Sequence, residues 1–168
     1  MATDDPKASL RSALVTQREH VLGILEGLSD DELRRPVLPS QWTCLGLVHH
    51  LAVDVERFWF RDVFAGQRMP TDDVVANAWH VPDGVTADAV FSLYRKEIEL
   101  ANAVIDATPL DEPPANWPAD RWPDWRFRDL QETMLHVIAE TAVHAGHLDA
   151  VRELIDGRQW LVLTDGES

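Results

Sequence analysis

Apolar residues recur every three or four positions in four separate stretches of this chain, each about twenty residues long. That spacing puts them on one face of an α-helix, and no stretch sustains the alternation a strand needs. Leu10, Leu14, Val21, Leu25 and Leu28 mark a first helix over about residues 7–28. Ser29, followed by Asp30, Asp31 and Glu32, is an N-cap for one short extra turn. Thr43 caps a second helix, roughly 44–65, whose inner face carries Leu47, Leu51 and Phe58. Phe91, Tyr94, Ile98 and Ile105 share one side of a third, with Asp88 near its start. The fourth spans about 129–156 through Leu130, Met134, Val137, Ile138, Thr141, Ala145, Leu148 and Ile155, and Gly157 is its natural stop.

The connections limit how these helices pack. Gly66 to Gly84 is longer than the two to eight residues usual between bundle helices. A connection that long carries the chain back along the bundle, so the third helix starts parallel to the second. Pro109 to Pro123, with its prolines and tryptophans, is expected to be a packed loop pinned by Trp117, Trp122 and Trp125. The tail, Gln159 to Ser168, contains Trp160, Leu161, Val162 and Leu163 and is expected to dock as an extended segment. The pattern predicts an all-α four-helix bundle in up-down-down-up order, with residues 1–168 forming a single domain.

Composition then removes several function classes. Fifteen Lys and Arg against twenty-nine Asp and Glu give a formal charge of -14. Nucleic acid and anionic membrane surfaces both call for a basic face, so neither is an expected partner. One cysteine, Cys44, excludes an internal disulfide framework and fits a reducing compartment. With no apolar run of about 20 residues and no basic-then-apolar start, the expected location is cytoplasmic.

The seven histidines are unevenly spread. His49 and His50 lie early in the second helix, and His136, Glu140, His144 and His147 lie in the fourth. Glu140 and His144 are four apart, so they project from one face a turn apart, as two metal donors on a rigid backbone must. On a helical wheel they fall about 90° and about 50° from the centre of the apolar stripe, which is a flank where a cleft can open. The same spacing also describes an ordinary solvated pair. His49 and His50 point about 100° apart, so at most one faces such a site, and His50 is the better placed. Cys44, near the start of the second helix, is either a stabilised thiolate or a small buried residue. Trp42, Trp59 and Trp79 are candidates to wall a pocket above a metal. Glu56, Arg57 and the Arg95, Lys96, Glu97 cluster read as solvated helix faces.

The segment WTCLGLVHHLAVDVERFWF, followed about 80 residues later by HVIAETAVHAGHLDAVRELIDG, resembles the DinB/YfiT-like superfamily of metalloenzymes. More narrowly, it resembles the actinobacterial branch related to mycothiol-dependent maleylpyruvate isomerases. The likeness runs from the first helix to Gly157. In that family a histidine early in helix two pairs with two donors four apart on the last helix. The isomerases use Glu-x-x-x-His there, the form present here. The resemblance therefore implies His50, Glu140 and His144 as metal ligands, with His147 a fourth donor or a group just behind them. The additional C-terminal domain of those isomerases is missing from this sequence, so their specific reaction is not carried over.

Two histidines and a carboxylate suit Zn²⁺, Ni²⁺, Fe²⁺ or Mn²⁺. Three protein ligands leave positions open, which is the catalytic pattern. The resemblance implies a metal-dependent transferase that uses a low-molecular-weight thiol, mycothiol or similar, on a small electrophile. The alternative is a non-catalytic metal- or ligand-binding protein associated with stress. A third option is a bundle that dimerises without a metal. A homodimer is compatible with all three.

Overall fold

The computed structural model describes residues 5–67 and 77–160. It is all-helical: α1 (Pro6–Ile24), the short α2 (Asp30–Arg34), α3 (Cys44–His50, continued by a π-helical segment, Leu51–Phe64), α4 (Ala87–Ala107) and α5 (Leu130–Asp156). No strand occurs among the described residues.

The helix ends follow local chemistry. The Ser29 hydroxyl accepts from the Glu32 amide while the Glu32 carboxylate accepts from the Ser29 amide, a reciprocal capping box. Thr43 caps α3 and Asp129 caps α5 through their side-chain oxygens. Gly157 ends α5 at φ 79°, a left-handed conformation that costs glycine little. The first helix stops at Ile24 rather than near Leu28, because Gly27 takes φ 83° and turns the chain into α2.

α1 packs along α5, and α3 lies between α4 and α5. Cross-helix pairs give the relative directions. His20 meets Asp149 and the Ile24 carbonyl meets Arg152, ascending together along α1 and α5. Arg18 reaches Asn102 whereas Arg11 pairs with Asp106, so α1 and α4 run oppositely. His50 faces His144 while Trp59 faces His136, so α3 and α5 also run oppositely. On these pairs α1 and α5 run one way, and α3 and α4 the other. Of the long connection between α3 and α4, residues 68–76 lie outside the described residues.

Continuation of α3 as a π-helix was not anticipated, and it changes which side chains face inward. Its ladder runs from residue i to i+5, as in the bond from the Ala65 amide to the Phe60 carbonyl. On an α-wheel Phe60 falls about 180° from Leu51. At about 4.4 residues per turn, the wider π winding brings it to within ~20° of Leu51. Phe60 is indeed fully buried, and Phe58, expected on the inner face, is only half-buried. Glu56 moves inward for the same reason.

Glu56 and Glu97 therefore correct the reading of solvated helix faces. Each is 1% exposed. Glu56 accepts a two-pronged pair from Arg18, itself 3% exposed, at 2.6 and 2.5 Å. Glu97 takes Arg57 at 2.8 Å on one oxygen and Arg61 at 2.7 Å on the other. Only Arg95 and Lys96 of that group are exposed.

The loop before α5 is packed, as expected. Ala115 and Asn116 donate to the carbonyls of Phe64 and Val63, and Leu130 and Gln131 donate to Glu112 and Leu110. Trp117, Trp122 and Trp125 interleave with Trp59, Phe127 and His136 in one aromatic cluster. Beyond α5, Trp160 sits over Gly23, where a Cβ would come within 2.3 Å of the indole. Leu161, Val162 and Leu163 of the expected docking tail lie outside the described residues.

Removing one partner of a buried pair strands the other charge. Glu56→Ala should therefore lower unfolding free energy by about 3–5 kcal/mol in urea melts. Replacing both residues, Arg18→Met with Glu56→Leu, should recover most of that loss.

Candidate metal centre

Three side chains from the facing flanks of α3 and α5 converge. His50 lies at the end of the α-helical part of α3, and Glu140 and His144 lie one turn apart on α5. One donor atom from each falls within 4.8 Å of the other two. Nε2 of His144 is 3.2 Å from Oε1 of Glu140, and Nε2 of His50 is 3.9 Å from the same oxygen. The two imidazole centres are 5.1 Å apart.

Hydrogen bonding within the group is incomplete. Nε2 of His50 and Nδ1 of His144 are both buried without a hydrogen-bond partner. Leaving a buried nitrogen unpaired is costly, so such atoms mark a place prepared for something else. A divalent cation fits the donor set in number, type and approach. Burial, reinforced by His50, holds the His144 imidazole below its ordinary value, with Glu140 opposing. A ligating imidazole must be neutral, and this environment favours that form.

The surroundings fix His50 tightly. Trp79 stacks on its ring at 4.3 Å between centres and 18° between planes, and meets His144 edge-on at 5.5 Å. Two features of α3 seat Trp79 there. Nδ1 of His49 donates to the Ala78 carbonyl at 2.7 Å. Gly46 lets the Trp79 backbone come close: a Cβ at that position would lie 2.3 Å from the Trp79 carbonyl oxygen. Of the two adjacent histidines, His50 faces the group and His49 is a buried structural residue, as the 100° offset requires.

Other expectations divide. Trp42 stands near both Trp79 and His147, so two of the three proposed pocket tryptophans do wall this region. Trp59 does not; nine residues beyond His50 along α3, it sits in the aromatic cluster with Trp122 and His136. His147 is exposed, its ring 5.6 Å from that of His144, and it is not among the three converging donors. Cys44 is fully buried, and burial pushes its thiol up to about 11, which excludes the stabilised-thiolate reading. Sequence reasoning missed Gly46 and the role of His49. A glycine inside a helix is the only signal the sequence offered for the close approach.

A cleft of about 340 Å³, lined by Ser40, Gln41, Trp42, Asn77, Trp79 and His80, shares with the group the Trp79 indole that packs on His50 and His144. Two indoles among hydroxyl, amide and imidazole groups suit a polar small molecule with apolar faces. A larger cavity of about 530 Å³ lies between the end of α1, α2 and the start of α4. Its acids are Glu26, Asp30 and Asp88, of which Asp30 is already committed to Arg34 and the Ala87 amide, and among the described residues only His50, Glu140 and His144 converge as a donor group. No described helix is long and apolar enough to cross a membrane.

Two outcomes follow. His144 should titrate with a midpoint below 6.5 in the metal-free protein, followed by its imidazole resonances. Its folded value lies below its unfolded one, so the stability tied to its neutral form is complete above the unfolded value near 6.5 and is lost as pH falls toward the folded value. Gly46→Ala should push Trp79 off His50 and remove the ring-current shift of the His50 Cε1 proton, with the fold retained.

No curated protein matches the chain. A family model described as Mycothiol-S-transferase matches residues 9–157, from the start of α1 to the glycine that ends α5. Nearly the whole bundle is covered, including His50, Glu140 and His144, and the chain belongs to the mycothiol-S-transferase family.

Proposed function

We propose that His50, Glu140 and His144 hold one divalent cation, and that the chain is a metal-dependent transferase joining the sulfur of mycothiol, or a similar small thiol, to a small electrophile. The observation that carries the proposal is the buried, unpaired Nε2 of His50 aimed at the Glu140–His144 pair. Family membership supplies the thiol. Cys44, fully buried with its thiol raised to about 11, supports a reading in which the reacting sulfur belongs to a bound molecule.

Each residue has a definable task. His50 and His144 offer neutral nitrogens, and Glu140 contributes the negative charge that offsets part of the cation's. A cation bound there supplies Lewis acidity, lowering the pKa of a thiol toward neutrality. Trp79 shields both imidazoles from water on one side, which strengthens electrostatic attraction at the centre. The cleft beside Trp42 and Trp79 is where the polar body of the thiol would lie. With His147 outside the converging donors, His50, Glu140 and His144 would hold the cation and would leave a position for the substrate.

The test joins metal analysis to turnover. Purified protein should carry close to one equivalent of a divalent metal, and His144→Ala should lose it while staying helical. Mycothiol consumption with a panel of small electrophiles should require the metal and fall in Glu140→Gln, whose metal affinity drops ~10-fold or more. Occupancy and activity should decline together on acidification, as protonation of His144 competes with the metal. Equal rates in native, chelated and Glu140→Gln protein would overturn the transferase reading for that panel. Metal retained in His144→Ala would overturn the ligand set.

A further inference from the structure

The three donors are not held equally, and the difference singles out a residue of α3. His50 has two ring nitrogens in different settings. Nδ1 lies 3.1 Å from Oδ2 of Asp54, and Nε2 is buried, without a hydrogen bond, 3.9 Å from Glu140. We propose that Asp54 is the positioning residue of this centre, fixing the His50 tautomer and ring so that the lone pair of Nε2 points at Glu140 and His144.

A carboxylate only accepts, so the proton of a neutral His50 must sit on Nδ1 when Asp54 is its partner. The lone pair is then on Nε2, the nitrogen facing α5. Without Asp54 an acceptor remains on the other side of the ring, Oε1 of Glu140 at 3.9 Å from Nε2. That oxygen would draw the proton to Nε2 and leave the lone pair on Nδ1, turned away from the other donors. Stacking on Trp79 holds the plane of the ring at 18° but cannot choose between tautomers, because both present the same face.

A His and an Asp four apart on a helix are often a solvated pair of little consequence. Two features make this pair different. His50 is only 12% exposed at its side chain, so its ring is fixed rather than waving in water. Its far nitrogen is one of three side-chain atoms buried without a partner among the described residues. Asp54 itself is 38% exposed, so altering it should leave the core intact. It lies in the first turn of the π-helical segment, across the change of winding from His50. A carboxylate behind a ligating imidazole also raises its donor strength.

This inference rests on His50 being a ligand, and the experiment keeps the two apart. In metal-free protein at about pH 8, above the histidine range, long-range ¹H–¹⁵N spectra should show His50 protonated on Nδ1. Asp54→Asn should move a substantial share of the proton to Nε2, and Asp54→Glu should restore the native pattern at least in part. Zinc titrations should give at least a tenfold weaker Kd for Asp54→Asn, with helicity unchanged and partial recovery in Asp54→Glu. His50→Ala, run alongside, should lose binding. If wild type and His50→Ala bind zinc alike, or neither binds, the ligand assignment falls and this inference with it. If His50→Ala loses zinc but Asp54→Asn binds within threefold of wild type, or keeps the native tautomer, only the role of Asp54 is overturned.

Discussion

Two carboxylates removed almost wholly from water, Glu56 and Glu97, set the position of α3 in the bundle. An isolated buried charge is so costly that each must meet its arginines in the folded state. Glu56 reaches to α1 through Arg18, and Glu97 of α4 reaches back to Arg57 and Arg61. Apolar packing tolerates small slips of one helix past another; a two-pronged guanidinium–carboxylate pair tolerates far less. With α3 fixed against α1 and α4, its remaining flank meets α5 in one register. That register brings His50 opposite Glu140 and His144.

Much of this arrangement was legible in the sequence, and where it was not the cause is specific. The spacing of Leu14, Val21, Met134, Thr141 and Leu148 places buried faces correctly because α1 and α5 wind at the ordinary pitch. Ser29, Thr43 and Gly157 act where they do because caps depend on neighbours close in sequence. Glu140 and His144 are findable for the same reason: one helical turn links them. His50 joins them only through the fold; spacing along its own helix prefers it to His49, and the family resemblance pairs it with Glu140 and His144.

The failures gather in Leu51–Phe64. A helical wheel assumes 100° per residue, and in a π-helix that assumption accumulates an error of about 18° at each step. Phe58 was placed inside and Phe60 overlooked; Glu56 was assigned to water and Trp59 to the pocket. The first three share that origin, whereas Trp59 faces α5 as His50 does but lies nine residues farther along α3. The buried arginines were hidden for a different reason: composition cannot distinguish a solvated charge from one paired across helices. The seating of Trp79 depends on Gly46 and His49, far from it in sequence, and no local pattern connects them.

The change of winding at His50 also divides α3 into two mechanical parts. Cys44–His50 is held by the Thr43 cap and by the backbone of Ala78 and Trp79, so its orientation is set from its own beginning. Leu51–Phe64 carries the anchoring pairs and the aromatic cluster. Loss or gain of one residue between Asp54 and Glu56 would rotate everything after it by about 80–100°, pulling Glu56 away from Arg18 and Trp59 from its neighbours. His50 would keep its direction. Such a change would leave the His50–Asp54 pair intact on its own turn while removing the anchors that hold that turn opposite α5, so the local geometry of the centre and its register across the bundle answer to different stretches of one helix.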